Sequence, residues 1–163
     1  MLVKLVRLLL LVVSLQGGAA YGFDQSFDQV RNRYQSSDAF LLDRQGMVID
    51  QQRVVQQGRR LEWVSLDDVS PALKRVILQA EDHRFYDHHG VDWLAMGSAL
   101  LHGAGGVRGA STISMQLVAL LDRNLRGTAN RKTLWQKVQQ VRAAQELERI
   151  WSKDEILEAY LNL

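Results

Sequence analysis

From Ser70 onward the apolar residues fall at helical spacing, so nearly everything C-terminal to that point must be built from helices. Ser70 can act as an N-cap and Pro71 suits a first helical position. Leu73, Val76, Ile77 and Ala80 then recur at three and four residues, which predicts a stripe facing a core. A second apolar helix is expected over Val91 to Leu101, with Trp93 and Met96, ending in the glycine-rich loop Gly103 to Gly106. Ser111 and Thr112 cap a third helix carrying Ile113, Gln116, Leu117, Leu120 and Leu121 in register. Asp122 to Asn130 reads as a basic loop and Lys132 to Ile150 as a long helix. Ser152 to Glu155 is a capping box that opens a last helix with Ile156, Leu157, Tyr160 and Leu161. The chain stops inside that last pattern, so the expectation is a C-terminally incomplete domain.

The N-terminal part reads differently. Met1 to Arg7 carries two positive charges, Leu8 to Leu15 is apolar apart from Ser14, and Gln16 to Ala20 offers small residues for cleavage. Residues 1–20 are therefore expected to be a signal peptide or a membrane anchor. Residues 21–60 are expected to be a connector, with a short helix around Phe27 to Tyr34 and a hairpin over Ala39 to Ile49 turning at Asp43 to Gly46. A third strand is expected at Arg60 to Leu66, and residues 61–163 form the main domain. With 47% hydrophobic residues in 163, one core can support it. The net charge of +2 comes from Lys4 and Arg7, leaving 18 basic residues against 18 acidic ones, so composition points to no nucleic-acid partner. The absence of cysteine excludes disulfides and thiolate metal sites.

The segment Glu81-Asp-His-Arg-Phe-Tyr-Asp-His-His-Gly90 concentrates chemistry at the end of the first main helix. Glu81 lies four residues after Ile77, so it is expected to continue the buried face. There the negative end of the helix dipole and desolvation would both favour a carboxyl ready to accept a proton. Buried acids also serve structure through backbone hydrogen bonds, and both readings stand on the residues alone. A metal site from His83, His88 and His89 has neither a helical His pair nor zinc spacing, and His88 reads better as a hydrogen-bonded residue fixing the loop. Gly109-Ala-Ser-Thr-Ile-Ser-Met-Gln116 puts hydroxyls and backbone donors at a helix N-terminus, either an anion site or a plain cap. Arg123, Arg126, Arg131, Lys132 and Lys137 form the densest basic run, either a diphosphate clamp or a solvated face.

Taken together, four motifs resemble those of the peptidoglycan glycosyltransferases, family 51, the domain found in class A penicillin-binding proteins. They are Glu81-Asp-x-x-Phe-Tyr-x-His88-x-Gly90, Gly109-Ala-Ser-Thr-Ile-Ser-x-Gln116-Leu, Lys137-x-x-Gln140 with Ala144-x-x-Leu147-Glu148, and Ser152-Lys-Asp-Glu-Ile-Leu-Glu-Ala-Tyr-Leu-Asn162. Their order and length make the resemblance specific over roughly Leu61 to the C-terminus. It implies a mainly α, lysozyme-like glycosyltransferase domain with a small β element on its N-terminal side. It also implies a place at the cytoplasmic (inner) membrane, on the periplasmic face. The implied substrates are lipid II and the growing glycan strand, and the product is a β-1,4-linked glycan made with inversion, with other cell-wall synthesis proteins as partners.

By the same resemblance Glu81 is the catalytic base and Gln140 stands where a second catalytic carboxylate is usual. Asp82, Phe85, His88, Ser111, Thr112, Gln116, Lys137 and Arg131 contribute to substrate binding. No cofactor is implied as obligatory, with a divalent cation, Mg or Mn, optional at the diphosphate and no metal ligand among the residues. Two motifs depart from the family pattern. Gln136 and Gln140 replace the usual arginine and glutamate of the third motif, and Ala119 replaces a lysine late in the second. An amide can still donate a hydrogen bond but cannot ligate a cation as a carboxylate does. Trp93, Met96 and Leu100 suit either a lipid interface or a core helix. A wall-binding module without turnover is the alternative reading, and a glycan-cleaving hydrolase a third.

Overall fold

A computed structural model describes residues 23–56, 58–101, 111–126 and 134–163. Among them α1 spans Phe27–Arg33, β1 Asp38–Leu42, β2 Val48–Arg53, α2 Pro71–Glu81, α3 Trp93–Leu101, α4 Ile113–Leu121, α5 Leu134–Ile150 and α6 Lys153–Asn162. The expected leader, the glycine-rich loop and Arg131 with Lys132 lie outside the described residues.

The core is centred on α4, where Ile113, Ser114, Met115, Leu117, Val118 and Ala119 are all buried. A helix apolar on nearly every side has to be enclosed. On α5 it meets Val141, Ala143, Ala144 and Leu147, and on α6 Ile156, Leu157 and Ala159. Local chemistry sets the ends of these helices. Thr112 caps α4 by accepting from Met115 N, Ser70 caps α2 ahead of Pro71, and the capping box of Ser152 and Glu155 opens α6, each as the sequence predicts.

β1 and β2 pair antiparallel with Leu41 opposite Asp50, and the turn passes through Gly46 at φ +82°. The expected third strand at Arg60 to Leu66 is absent. That stretch is instead tied to α6 by side chains: Asn162 Oδ1 accepts from Val64 N (2.8 Å) and Asn162 Nδ2 donates to Val64 O (2.9 Å). The buried Glu158 carboxylate accepts from Trp63 Nε1 (2.7 Å) and from Leu66 N (2.8 Å). An asparagine amide can satisfy a backbone N–H and C=O together, so the segment needs no neighbouring strand. Edge-to-face contacts of Phe27 with Trp63 and Trp151 fasten α1 against this seam.

The stripe expected on α2 is not buried. Leu73 is 48% exposed and Val76 64%, and only Ile77 and Leu78 pack against the core. Helical spacing tells which residues share a face; it does not supply an element to cover that face. On α3 the two readings divide between residues, since Met96 packs on the core while Trp93 and Leu94 are exposed. No helix among the described residues is long and apolar enough to cross a membrane.

Candidate active site

Helix α2 ends at Glu81, and its last turn hands two adjacent acids to opposite environments. Glu81 is exposed, not on the buried face that its spacing predicts, because the whole of α2 sits at the rim of the core. Its Oε2 accepts from Gln116 Nε2 on α4 (2.9 Å), and Gln116 Oε1 accepts from Tyr160 O–H on α6 (3.2 Å). Three helices thus converge on one carboxylate. Burial, and then the Glu81 charge, push the Tyr160 phenol up, which keeps its proton in place for donation.

Asp82 turns inward. Its carboxylate lies 3.0 Å from His88 Nε2 through both oxygens, and Oδ2 also accepts from Ile113 N (3.0 Å). The N-terminus of α4 therefore receives an anion from within the chain. Met115 N bonds to the Thr112 hydroxyl as well, so the second motif is a cap closed by Asp82 and not an open phosphate cradle. Thr112 Oγ1 donates to Gly90 O (2.6 Å). Asp82, Phe85, His88 and Thr112 are all buried, so these four sequence candidates hold the frame behind Glu81.

The loop between them is fixed at both ends. Arg84 pairs with Asp92 through two nitrogens, and Asp92 accepts from Ala95 N (2.8 Å) at the start of α3. Burial raises the Asp92 pKa, but the bonds from Arg84 and Ala95 N outweigh it and leave the carboxyl below the usual range. Gly90, at φ +78°, passes so close to α5 that a Cβ would lie 2.8 Å from Ala144 C, Ala144 O and Gln145 N.

Lys137 Nζ on α5 donates to Ser111 Oγ (2.6 Å), joining the third motif to the second. Gln140 points elsewhere. It is 1% exposed and its Nε2 donates to Leu125 O (2.6 Å), so the structure does not bring it to Glu81. Arg126 caps the last carbonyls of α4, donating to Ala119 O (3.0 Å) and Leu120 O (2.7 Å). An open cleft of about 670 Å³ is lined by Ile77, Gln116, Ala119, Leu120, Arg126, Tyr160 and Leu161, so Gln116, which holds Glu81, and Tyr160, which contacts Gln116, are both on its wall. No group of three or more His, Asp or Glu among the described residues is placed to hold a metal ion.

Sequence reasoning missed two contributors. Tyr160 reads as part of an apolar stripe, yet its hydroxyl reaches the site; a tyrosine where leucine would fill the stripe was the available signal. Glu148 accepts from Ser114 Oγ and from Lys153 Nζ (2.8 Å), and that ammonium sits 4.4 Å above the Phe85 ring. This cluster ties the first motif to the other three.

A mainly helical domain with an exposed carboxylate beside an open cleft, held by an amide that a phenol contacts in turn, has the parts of a general-base site. Residues 45–163 match the family described as Transglycosylase, and the chain belongs to that family. It is similar to penicillin-binding protein 1A/1B of Bacillus subtilis (strain 168), 43% identical over 105 residues that cover 61% of this chain and 11% of that protein. The biosynthetic peptidoglycan transglycosylase of Mannheimia succiniciproducens is 38% identical over 110 residues, 63% of this chain and 41% of that one. Penicillin-binding protein 1A of Escherichia coli (strain K12) is 39% identical over 117 residues, 69% of this chain and 13% of that one. The chain thus spans less than half the length of these relatives.

Proposed function

We propose that the chain is the glycosyltransferase part of a peptidoglycan synthase that polymerises lipid II into β-1,4-linked glycan strands in cell-wall biosynthesis. The observation that carries this reading is the placement of Glu81: solvent-accessible, at a helix end, beside a cleft and held by Gln116. In the reaction Glu81 takes the proton of the acceptor 4-hydroxyl as its oxygen attacks the donor anomeric carbon. The bond to the diphosphate breaks, polyprenyl diphosphate leaves with the bonding pair, and the configuration inverts. A base in reach of both solvent and cleft fits a long polymeric substrate.

Ser111 with Lys137, and Arg131 from the basic run, would meet the departing diphosphate, where fixed positive charge stabilises what develops in the transition state. A Mg or Mn ion there is optional, and its ligands would be the diphosphate oxygens, since Gln140 has no carboxylate to give. Gln140 serves as a positioning residue through Leu125. Asp82, Phe85, His88 and Thr112 act on the substrate through Glu81 and Gln116, which they locate. The methionine at Met115, before the glutamine of the second motif, favours the penicillin-binding protein 1C subtype. We place the domain on the periplasmic face of the cytoplasmic membrane, with residues 1–20 as signal or anchor and exposed Trp93 and Leu94 toward lipid. Other cell-wall synthesis proteins would be its partners.

A wall- or lipid II-binding module without turnover is the second reading, favoured by the buried neutral amide of Gln140. Labelled lipid II incubated with the purified full chain separates the two: glycan product supports the enzyme, while binding without product sinks it. Release of fragments from sacculi would indicate a hydrolase instead.

A further inference from the structure

Resting on that reading, we infer that Tyr160 is a positioning residue for catalysis: its hydroxyl fixes the side-chain amide of Gln116 in the orientation that presents N–H to the Glu81 carboxylate. A glutamine amide can turn end for end at little intrinsic cost, and only its surroundings decide which end faces a neighbour. Here the amide lies between two partners. Tyr160 O–H is 3.2 Å from Oε1 and Glu81 Oε2 is 2.9 Å from Nε2. With Oε1 occupied by a donor, the NH₂ end is committed to Glu81, and each bond polarises the amide so as to strengthen the other. Tyr160 does not bond to Glu81 directly, so it acts through Gln116. The three residues come from three helices, α2, α4 and α6, and α6 is held in turn by Glu158 and Asn162 against the segment that precedes α2.

Tyr160→Phe keeps the ring and removes only the donor. In lipid II polymerisation by the purified full chain, kcat should fall about five-fold with KM unchanged, the rate equivalent of one net neutral hydrogen bond. Because the effect runs through the amide, Tyr160→Phe added to Gln116→Leu should lower kcat no further than Gln116→Leu alone. Unchanged kcat in Tyr160→Phe, a loss carried by KM, or full multiplication of the two effects overturns the inference. The Gln116 side-chain amide protons give a readout without turnover. By NMR the proton bonded to Glu81 should lie downfield of an exposed glutamine's and move upfield in Tyr160→Phe; an unmoved resonance overturns the inference as well. A wild-type chain that makes no glycan while this NMR shift is seen defeats the glycosyltransferase reading and leaves the orienting contact supported.

Discussion

Replacing Gly90 by alanine should damage this domain more than any other single methyl group added at a described glycine. Two separable penalties meet there. The backbone at φ +78° is left-handed, which costs a residue with a Cβ about 1 kcal/mol. The new Cβ would then stand 2.8 Å from three backbone atoms of Ala144 and Gln145, and backbone inside α5 cannot swing aside as a side chain would. Overpacking of that kind costs about 1–3 kcal/mol, for a total of about 2–4 kcal/mol. In a chain of this size that lowers the melting temperature by about 5–15 °C. Gly46 provides the control, because its φ is +82° with nothing within 4 Å of an added Cβ, so Gly46→Ala carries the backbone term alone. Urea unfolding of both variants isolates the close approach as their difference. Equal losses, or a Gly90→Ala variant within about 0.5 kcal/mol of wild type, would refute the argument. The consequence reaches the site, since Gly90 O accepts from the Thr112 hydroxyl that caps α4.

Gln140→Glu, which would restore the acid usual in the third motif, should destabilise the domain. A carboxylate oxygen would face Leu125 O where an amide now donates across 2.6 Å, at a cost of about 2–4 kcal/mol. The loss should shrink between pH 7 and pH 5, because the protonated carboxyl can donate to Leu125 O; denaturant titrations at the two pH values check the sign. The Tyr86 phenol is pushed up to about 12 by burial, by its hydrogen bond to Asp154 and by that residue's charge. Ultraviolet titration should therefore find a tyrosine ionising at about 12 that moves part of the way back toward 10 in Asp154→Asn, while an unmoved midpoint would argue against the contact.

What the sequence could reveal followed from how local each feature is. Caps and helix ends are set by a few adjacent residues, so Ser70, Thr112 and Ser152 mark their helices correctly, as Gly46 marks the hairpin. Which helix face is covered depends on where the other elements go. Leu73 and Val76 have the spacing of core residues and remain exposed because α2 sits at the rim. For Glu81 the spacing predicts burial, and the side chain is exposed instead. The acid beside it, Asp82, takes the buried place. The segment before α2 looked like a strand, and only contacts nearly a hundred residues away, from Glu158 and Asn162, explain why it is not one. Tyr160 was hidden for the same reason: its partner Gln116 lies 44 positions earlier in the chain.

The central claim is that Glu81 is the base of a glycan-forming reaction, and one paired measurement tests it most directly. Wild type and Glu81→Gln, each purified as the full chain, are given labelled lipid II and the products are separated by length. Because the Glu81 side chain is exposed and a glutamine oxygen can still accept from Gln116, the variant should unfold within about 0.5 kcal/mol of wild type. The account predicts glycan strands from wild type and none from the variant; polymerisation by Glu81→Gln at the wild-type rate would contradict it.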